Sequence, residues 1–327
     1  MTGNTLGIDI AQAKFDVALW QHGRSRAHTF DNKPAGFRAL SAWLAQQGAA
    51  GVHACLEATG VYGLELAHYL HQAGVVVSVV NPACIKSFAQ CQLRRTKTDR
   101  VDAVVIAQYC ATMQPRPWQP PAPEIAQLQA LARRREDLLA MRTQERNRSQ
   151  LPSTPVAVQE SQKAVVAMLG EQIKATEAQL RAHCRQHPGL QAKLDLLLSI
   201  PSIGFITAVI LLGEIGDLSN YRSARQLAAH SGLVPYQRCS GSSVHGNPRL
   251  SKRGNARLRK ALYFPAIVAM QHNPLLAPFA QRLLARGKQK MVAIAALMRK
   301  LLHLVYGILK SGMPFDPNYQ PSIPCKA

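Results

Sequence analysis

The sequence predicts an α/β domain at the N-terminus followed by a longer, mostly helical part. Three observations lead there. Strand and helix signals alternate over residues 1 to about 110. The run Trp118-Gln119-Pro120-Pro121-Ala122-Pro123 reads as a linker and ends that alternation. Beyond it, apolar residues recur mainly at helical spacing.

The elements follow in order. Thr5–Ala11 and Phe15–Trp20 read as short strands around a polar turn, and Arg26–Asp31 as a third. Pro34–Gln47 reads as a helix, with Pro and Ala at its start and Gly48 after its end. A strand ends at Glu57, a helix crosses Tyr62–Gln72 and stops at Gly74, and Val75–Val80 is a β-branched, Val-rich run with one serine, closed by Asn81-Pro82. A further helix is expected to start at Asp99. Three early strands followed by β-α-β units imply a sheet with helices on its faces.

After the linker, 124–151 and 159–187 are helical, separated by Leu151-Pro152-Ser153-Thr154-Pro155. Val166, Leu169, Ile173, Thr176 and Leu180 form a heptad seam in the second helix. The pair reads either as a hairpin packed on its own domain or, as preferred here, as a projecting antiparallel arm that assembles oligomers. From Pro188 the chain holds Leu194–Pro201, a short hairpin and an apolar helix to Gly213. Gly- and Ser-rich turns, a basic stretch Arg249–Lys260 and a long apolar-basic helix near Met291–Leu309 follow.

Length and composition narrow the function. A chain of 327 residues implies two or three domains. Seven scattered cysteines, with no C-x-x-C pair, point to reduced thiols rather than a disulfide framework or a structural zinc. No charged-then-apolar leader is visible, and the apolar run Ile203–Gly213 is too short to span a bilayer, so a soluble, cytoplasmic protein is expected. The charge is decisive: 39 Lys and Arg stand against 18 Asp and Glu, a net +21. From Leu218 to Phe315 there are 16 Lys and Arg and no acid. That asymmetry points to nucleic acid rather than to a membrane surface.

Against this basic background four carboxylates stand out. Asp9 interrupts the apolar run Leu6-Gly7-Ile8-Asp9-Ile10-Ala11, and Glu57 closes a strand before Ala58-Thr59-Gly60. Asp99 and Asp102 lie three apart and share one helix face. Taken alone, that pair also reads as acids at a helix start capped by Thr96 or Thr98. Together with a mid-strand Asp9, which needs a partner when buried, the set suggests a divalent-metal site facing phosphate.

Two further blocks sit in the basic half. Arg238-Cys239-Ser240-Gly241-Ser242-Ser243-Val244-His245-Gly246 combines small residues with three hydroxyls, suited to phosphate approach or to a nucleophile. Composition does not choose among Ser240, Ser242 and Ser243, and His245 is a possible proton donor. Arg238, Arg249, Lys252, Arg253, Arg257, Arg259 and Lys260 are placed to contact phosphates. Ser199-Ile200-Pro201-Ser202-Ile203-Gly204 reads as a hairpin between helices whose backbone N–H groups, with Gly204, suit phosphate contact without sequence readout.

In this order, Gly7-Ile8-Asp9-Ile10-Ala11, Glu57-Ala58-Thr59-Gly60, Asn81-Pro82, Lys97-Thr98-Asp99-x-x-Asp102-Ala103, Ile200-Pro201-x-Ile203-Gly204 and Ser240-Gly241-Ser242-Ser243-Val244-x-Gly246 resemble the DEDD-type transposases of bacterial insertion sequences, the IS one-ten family. The resemblance covers nearly the whole chain. It implies an RNase H-like (RuvC-like) domain over 1–123, a coiled-coil arm over 124–188, and a mostly helical C-terminal transposase domain over 189–327 with a helix-hairpin-helix-like element. By motif position, Asp9, Glu57, Asp99 and Asp102 would bind Mg²⁺ and Ser240 would be the nucleophile, with Ser242 and Ser243 beside it at the DNA. The implied activity is DNA recombination through a transient phosphoserine link. The implied partners are target and donor DNA, a structured guide ("bridge") RNA and further copies of the chain, as a dimer or tetramer whose metal site and serine come from different protomers. Two departures stand out: Ser202 where the hairpin commonly has Gly, and Cys239 before the serine.

Three other readings compete. A hydrolytic nuclease of the Holliday-junction-resolvase type would use the carboxylates without a serine link. An actin-like sugar kinase would match Gly7-Ile8-Asp9-Ile10-Ala11 but lacks a second Gly-rich phosphate loop. A non-catalytic nucleic-acid-binding protein would need neither site.

Overall fold

A computed structural model describes residues 3–49, 51–58, 60, 62–92, 98–150, 155–237, 239–240, 244–246 and 249–318. The chain divides into two compact units, Met1–Pro120 and Pro121–Ala327.

The first unit is built on a five-stranded sheet. In chain order it contains β1 (Thr5–Ile10), β2 (Lys14–Gln21), β3 (Arg24–Asp31), α1 (Pro34–Gln46), β4 (His53–Glu57), α2 (Leu64–Gln72), β5 (Val76–Val80), α3 (Pro82–Cys91) and α4 (Asp99–Met113). The strand order is β3-β2-β1-β4-β5, with β1, β2 and β3 antiparallel and β1, β4 and β5 parallel. An antiparallel meander extended by parallel crossovers is the RNase H-like arrangement expected from the sequence.

Strand alternation sorts the side chains onto two faces. Leu6 and Ile8 of β1, Phe15, Val17 and Leu19 of β2, and Ala54 and Leu56 of β4 pack with Phe37, Leu40 and Leu44 of α1 and Leu66 and Leu70 of α2. Thr5, Gly7 and Asp9 therefore face the other way, toward α4. There the contact is made by small residues, Ala18, Ala103 and Ala107, and α4 comes very close. A Cβ on Gly7 would lie 2.0 Å from the Ala103 carbonyl oxygen and 2.2 Å from the Ala107 nitrogen. Thr5 Oγ1 donates to the Ala107 carbonyl at 2.9 Å. Cys55 and Cys110 meet in a buried cluster between β4 and α4 and are free thiols.

The expected linker is partly structural. Trp118 donates its backbone N–H to Val77 at 2.6 Å and packs beside the first unit's core. Ser78 Oγ likewise donates to the carbonyls of Pro115 and Arg116.

The second unit contains α5 (Pro123–Arg148), α6 (Val156–Gln186), α7 (Pro188–Leu198), α8 (Phe205–Ile215), α9 (Ala224–His230), β6 (Pro235–Tyr236), β7 (Cys239–Ser240), β8 (Val244–His245), β9 (Arg249–Leu250), α10 (Ala256–His272), α11 (Ala277–Ala285) and α12 (Lys290–Ser311). Leu169, Ile173, Thr176 and Leu180 of the heptad seam are buried. Leu138 of α5 meets Leu169 and Ile173, while Leu128 and Leu180 join the main core of α7, α8, α10 and α12. Thus the root of the α5–α6 pair is part of this unit's core.

By length and composition α12 could cross a membrane. Its surroundings say otherwise: Ile294, Leu297, Leu301, Leu302 and Val305 lie in the protein core, and Arg299 and Lys300 interrupt its apolar run. It is the central core helix of this unit.

Candidate functional site

The packing of α4 on β1 explains why the N-terminal carboxylates gather. Thr5 touches Ala107 and Gly7 touches Ala103, so α4 runs antiparallel to β1. Continuing that pairing brings Asp9 to the first turn of α4, where Asp99 and Asp102 sit. The β1–β4 register pairs Ile8 with Leu56, so the next position sets Glu57 beside Asp9. These are the C-terminal ends of parallel strands, where open α/β sheets place ligands.

Asp9 is half-buried. Burial first, and then the negative charges of Asp102, Asp99, Glu57 and Asp16, push its carboxyl up to about 6. Asp16 is a fifth carboxylate at this edge that the motif reading does not contain. It sits directly opposite Asp9 in the β1–β2 register, a like-charged cross-strand pair that is unfavourable by itself. It is 5% exposed and is held by Thr29 Oγ1 and by Lys14 Nζ at 3.3 Å.

Lys14 also reaches Asp99 Oδ2 at 3.2 Å, and both carboxylates raise its pKa, with the Asp99 hydrogen bond the larger cause. Sequence spacing gave no hint of this ammonium beside the acids. Asn32 closes the edge by donating to the Ala11 carbonyl at 3.0 Å and to Tyr62 at 3.2 Å. Thr98 caps α4 by accepting from the Val101 N–H at 3.3 Å. Capping and clustering therefore coexist at Asp99 and Asp102.

Among the described residues, no three His, Cys, Asp or Glu side chains already enclose a point as metal ligands would. The donor set nevertheless fits a hard divalent cation in its chemistry. Its members are carboxylate oxygens, their negative charges add to burial in raising Asp9, and the Lys14 ammonium already bridges Asp99 and the neighbouring Asp16.

In the second unit, Ser240 lies on β7, and its backbone pairs with Val244 of β8. A second two-stranded pairing, Pro235 with Leu250 and Tyr236 with Arg249, brackets it in sequence. Arg238, Ser242 and Ser243 lie outside the described residues.

The chain after β9 is anchored at the end of α9. Asn255 N–H donates to His230 at 2.7 Å, and Ser251 N–H to Val234 at 2.9 Å. Gly254 has φ +131°, and a Cβ there would strike the His230 carbonyl at 2.1 Å, so only glycine fits.

The expected phosphate-contacting residues divide into two sets. Arg249, Lys252 and Arg253 are exposed around this anchor. Arg259 turns inward and donates to the Ser231 carbonyl at 2.9 Å. Arg257 (3.5 Å) and Lys260 both pair with Glu136 of α5, and the Lys260 hydrogen bond is the main cause holding the Glu136 carboxyl below its usual range. Glu214, its side chain 8% exposed, takes Arg133 at 3.3 Å and Asn255 Nδ2 at 2.7 Å. Asn255 in turn caps α10. Neither Glu136 nor Glu214 stands out in sequence, because the partners lie 41 to 124 residues away.

The hairpin is present between α7 and α8, with Gly204 as the N-cap of α8 and open space around it. Ser202 takes φ +93°, and its Oγ is buried without a hydrogen-bond partner. The common glycine at this position is thereby explained: the turn requires a left-handed backbone.

Family models and full-length relatives match the chain. Residues 6–151 match the DEDD-type IS110 transposases, and residues 194–281 match transposases of the IS116/IS110/IS902 family. The pilin gene-inverting protein of Moraxella bovis is 34% identical over 97% of this chain and 98% of its own. The transposase for insertion sequence element IS1328 of Yersinia enterocolitica is 27% identical over 77% and 82%. The Thermus thermophilus RuvC structure aligns with 35% of this chain and 99% of its own at 14% identity, with a TM-score of 0.27.

Proposed function

Because the chain belongs to the IS110 family of transposases, enzymes that act on DNA, we propose that it cleaves and rejoins DNA through a phosphoserine intermediate. The observation that carries this reading is the convergence of Asp9, Glu57, Asp99 and Asp102 on one sheet edge of an otherwise basic chain.

Asp9, Glu57, Asp99 and Asp102 would hold Mg²⁺, which when bound would supply Lewis-acid polarisation of the scissile phosphate. The Ser240 hydroxyl attacks phosphorus: a Ser Oγ–P bond forms, the P–O bond to the leaving deoxyribose breaks, and the hydroxyl proton passes to the departing oxygen. Attack by a second strand's hydroxyl reverses these steps and releases Ser240. Ser242 and Ser243 flank the nucleophile at the DNA. Gly204, Arg238, Arg249, Lys252 and Arg253 contact backbone phosphates and fix register rather than sequence. Arg257, Arg259 and Lys260 share that task only so far as their protein partners release them.

A structured guide RNA would place sequence choice outside the protein, as the family resemblance implies. Sequencing the RNA that co-purifies with the chain, expressed together with its native flanking DNA, tests this. Assembly as a dimer or tetramer is supported by α6, where Val158, Val165 and Met168 form a second, exposed apolar stripe beyond the buried seam.

Ser240→Ala is expected to abolish the protein–DNA adduct trapped under denaturing conditions while DNA binding persists. An undiminished adduct would refute the nucleophile, and cleavage without any adduct in the wild type would establish the hydrolytic nuclease instead. Asp102→Asn should remove metal-dependent cleavage. Mixing the two inactive variants should restore activity if the metal site and the serine come from different protomers.

A further inference from the structure

Phe264 is 72% exposed, more than any other large apolar side chain among the described residues. It sits on the solvent stripe of α10 with Arg257, Lys260 and Val268, spaced three, four and four residues apart and so on one helix face. Packing does not require it there. The core face of α10 is carried by Leu258, Leu262, Ala266 and Ala269. Tyr263 meets Phe264 edge-on, with ring centroids 5.3 Å apart, and reaches Met291 Sδ at 3.9 Å. This brings exposed Met291, at the start of α12, beside Tyr263, with exposed Lys290 next to it in the chain.

A large exposed aromatic flanked by cations is the arrangement by which proteins hold unpaired nucleotides: the ring stacks on a base and the cations take the adjoining phosphates. The charge around it suits that occupant. Residues 218–315 contain no acid, and the Glu136–Lys260 pair stands open to solvent, with the lysine side chain 73% exposed, so a phosphate can compete for it. Strand exchange between duplexes also leaves a transferred strand without its complement while it changes partner.

We propose that Phe264 is a stacking platform for an unpaired DNA base, with Lys260 and Lys290 receiving the neighbouring phosphates. This rests on the recombinase reading above but concerns binding, not cleavage. The test compares the full chain with Phe264→Ala and Phe264→Trp on oligo(dT), oligo(U) and a duplex of equal length. Phe264→Ala should weaken oligo(dT) binding about 5- to 100-fold, leaving duplex affinity and melting temperature unchanged. Phe264→Trp should retain binding and show indole quenching above that of wild-type Trp20, Trp43 and Trp118. Unchanged oligo(dT) affinity in the Ala variant, or equal loss on the duplex, would overturn the proposal. Loss confined to oligo(U) would reassign the site to RNA. Intact nucleic-acid binding with an altered sedimentation coefficient would reassign it to a second copy of the chain. A wild-type chain that binds no DNA would defeat the recombinase reading itself, whereas wild-type binding with an indifferent Phe264→Ala defeats only this inference.

Discussion

Lys14 Nζ lies 3.2 Å from Asp99 Oδ2, tying the start of β2 to the first turn of α4 across 85 residues of chain. The same ammonium is 3.3 Å from Asp16. An acidic sheet edge thus carries its own cation, placed between two of the carboxylates that surround Asp9.

That ammonium competes with a divalent ion for the same oxygens. Lys14→Gln is expected to tighten Mg²⁺ binding about 2- to 10-fold at constant ionic strength, measured by titration calorimetry. Weaker binding would show instead that Lys14 holds the carboxylates in place.

Asp9 provides a pH signature. Its folded-state pKa of about 6 lies above the ordinary carboxylate value. A raised acid contributes stability below its unfolded pKa and loses that contribution as pH rises through 6. Asp9→Asn should therefore stabilise the metal-free protein at pH 8, by about 1 kcal/mol after allowing for solvent screening of a half-exposed group, and have little effect near pH 4. Metal-dependent cleavage by the wild type should decline as pH falls through 6. Thermal melts across pH test the first point, and the cleavage profile tests the second.

Gly7 sets the distance between Asp9 and α4. Gly7→Ala would drive a methyl group into the backbone of Ala103 and Ala107. A loss of about 1–3 kcal/mol or more is expected, together with metal-dependent cleavage, although every ligand remains. Full cleavage in a stably folded variant would show that α4 need not be this close.

Glu136 restrains two cations of α10. Glu136→Gln should release Arg257 and Lys260 to phosphate and tighten duplex binding. The slope of log K against log salt should steepen by about one to two phosphate contacts. An unchanged slope would mean that neither cation reaches DNA.

Ser202 carries strain that a glycine would relieve. Ser202→Gly removes a side chain from a φ of +93° and deletes a buried, unpartnered hydroxyl. It should raise stability by about 1 kcal/mol, seen as a higher melting temperature. A lower one would show that the Oγ has a partner in solution.

Much of the first unit is legible in the sequence because its strands are regular. Alternation in β1 and β2, the Val-rich run at β5 and the Pro and Gly boundaries of α1 and α2 are local signals, and the structure follows them to within a residue or two. The short helix α3 and the pinned chain around Trp118 are less legible, since their place depends on contacts with β5 and its neighbours. In the second unit the heptad seam of α6 is readable. The extent of α10 is not, because Pro265 stands inside it and contradicts the local rule that an interior proline ends a helix.

The motifs alone nominate Asp9, Glu57, Asp99 and Asp102, and the acid-free half alone points to nucleic acid, because residue type and net charge need no coordinates. Tertiary structure decided the rest. It set Asp16 against Asp9 through strand register and put Lys14 between Asp16 and Asp99. It turned Arg259 inward, paired Arg257 and Lys260 with Glu136, and left Phe264 facing solvent. The physical reason is that charge acts through space: which carboxylate feels which ammonium depends on distances that only the packing of β1 against α4, or of α5 and α10 on α8, creates.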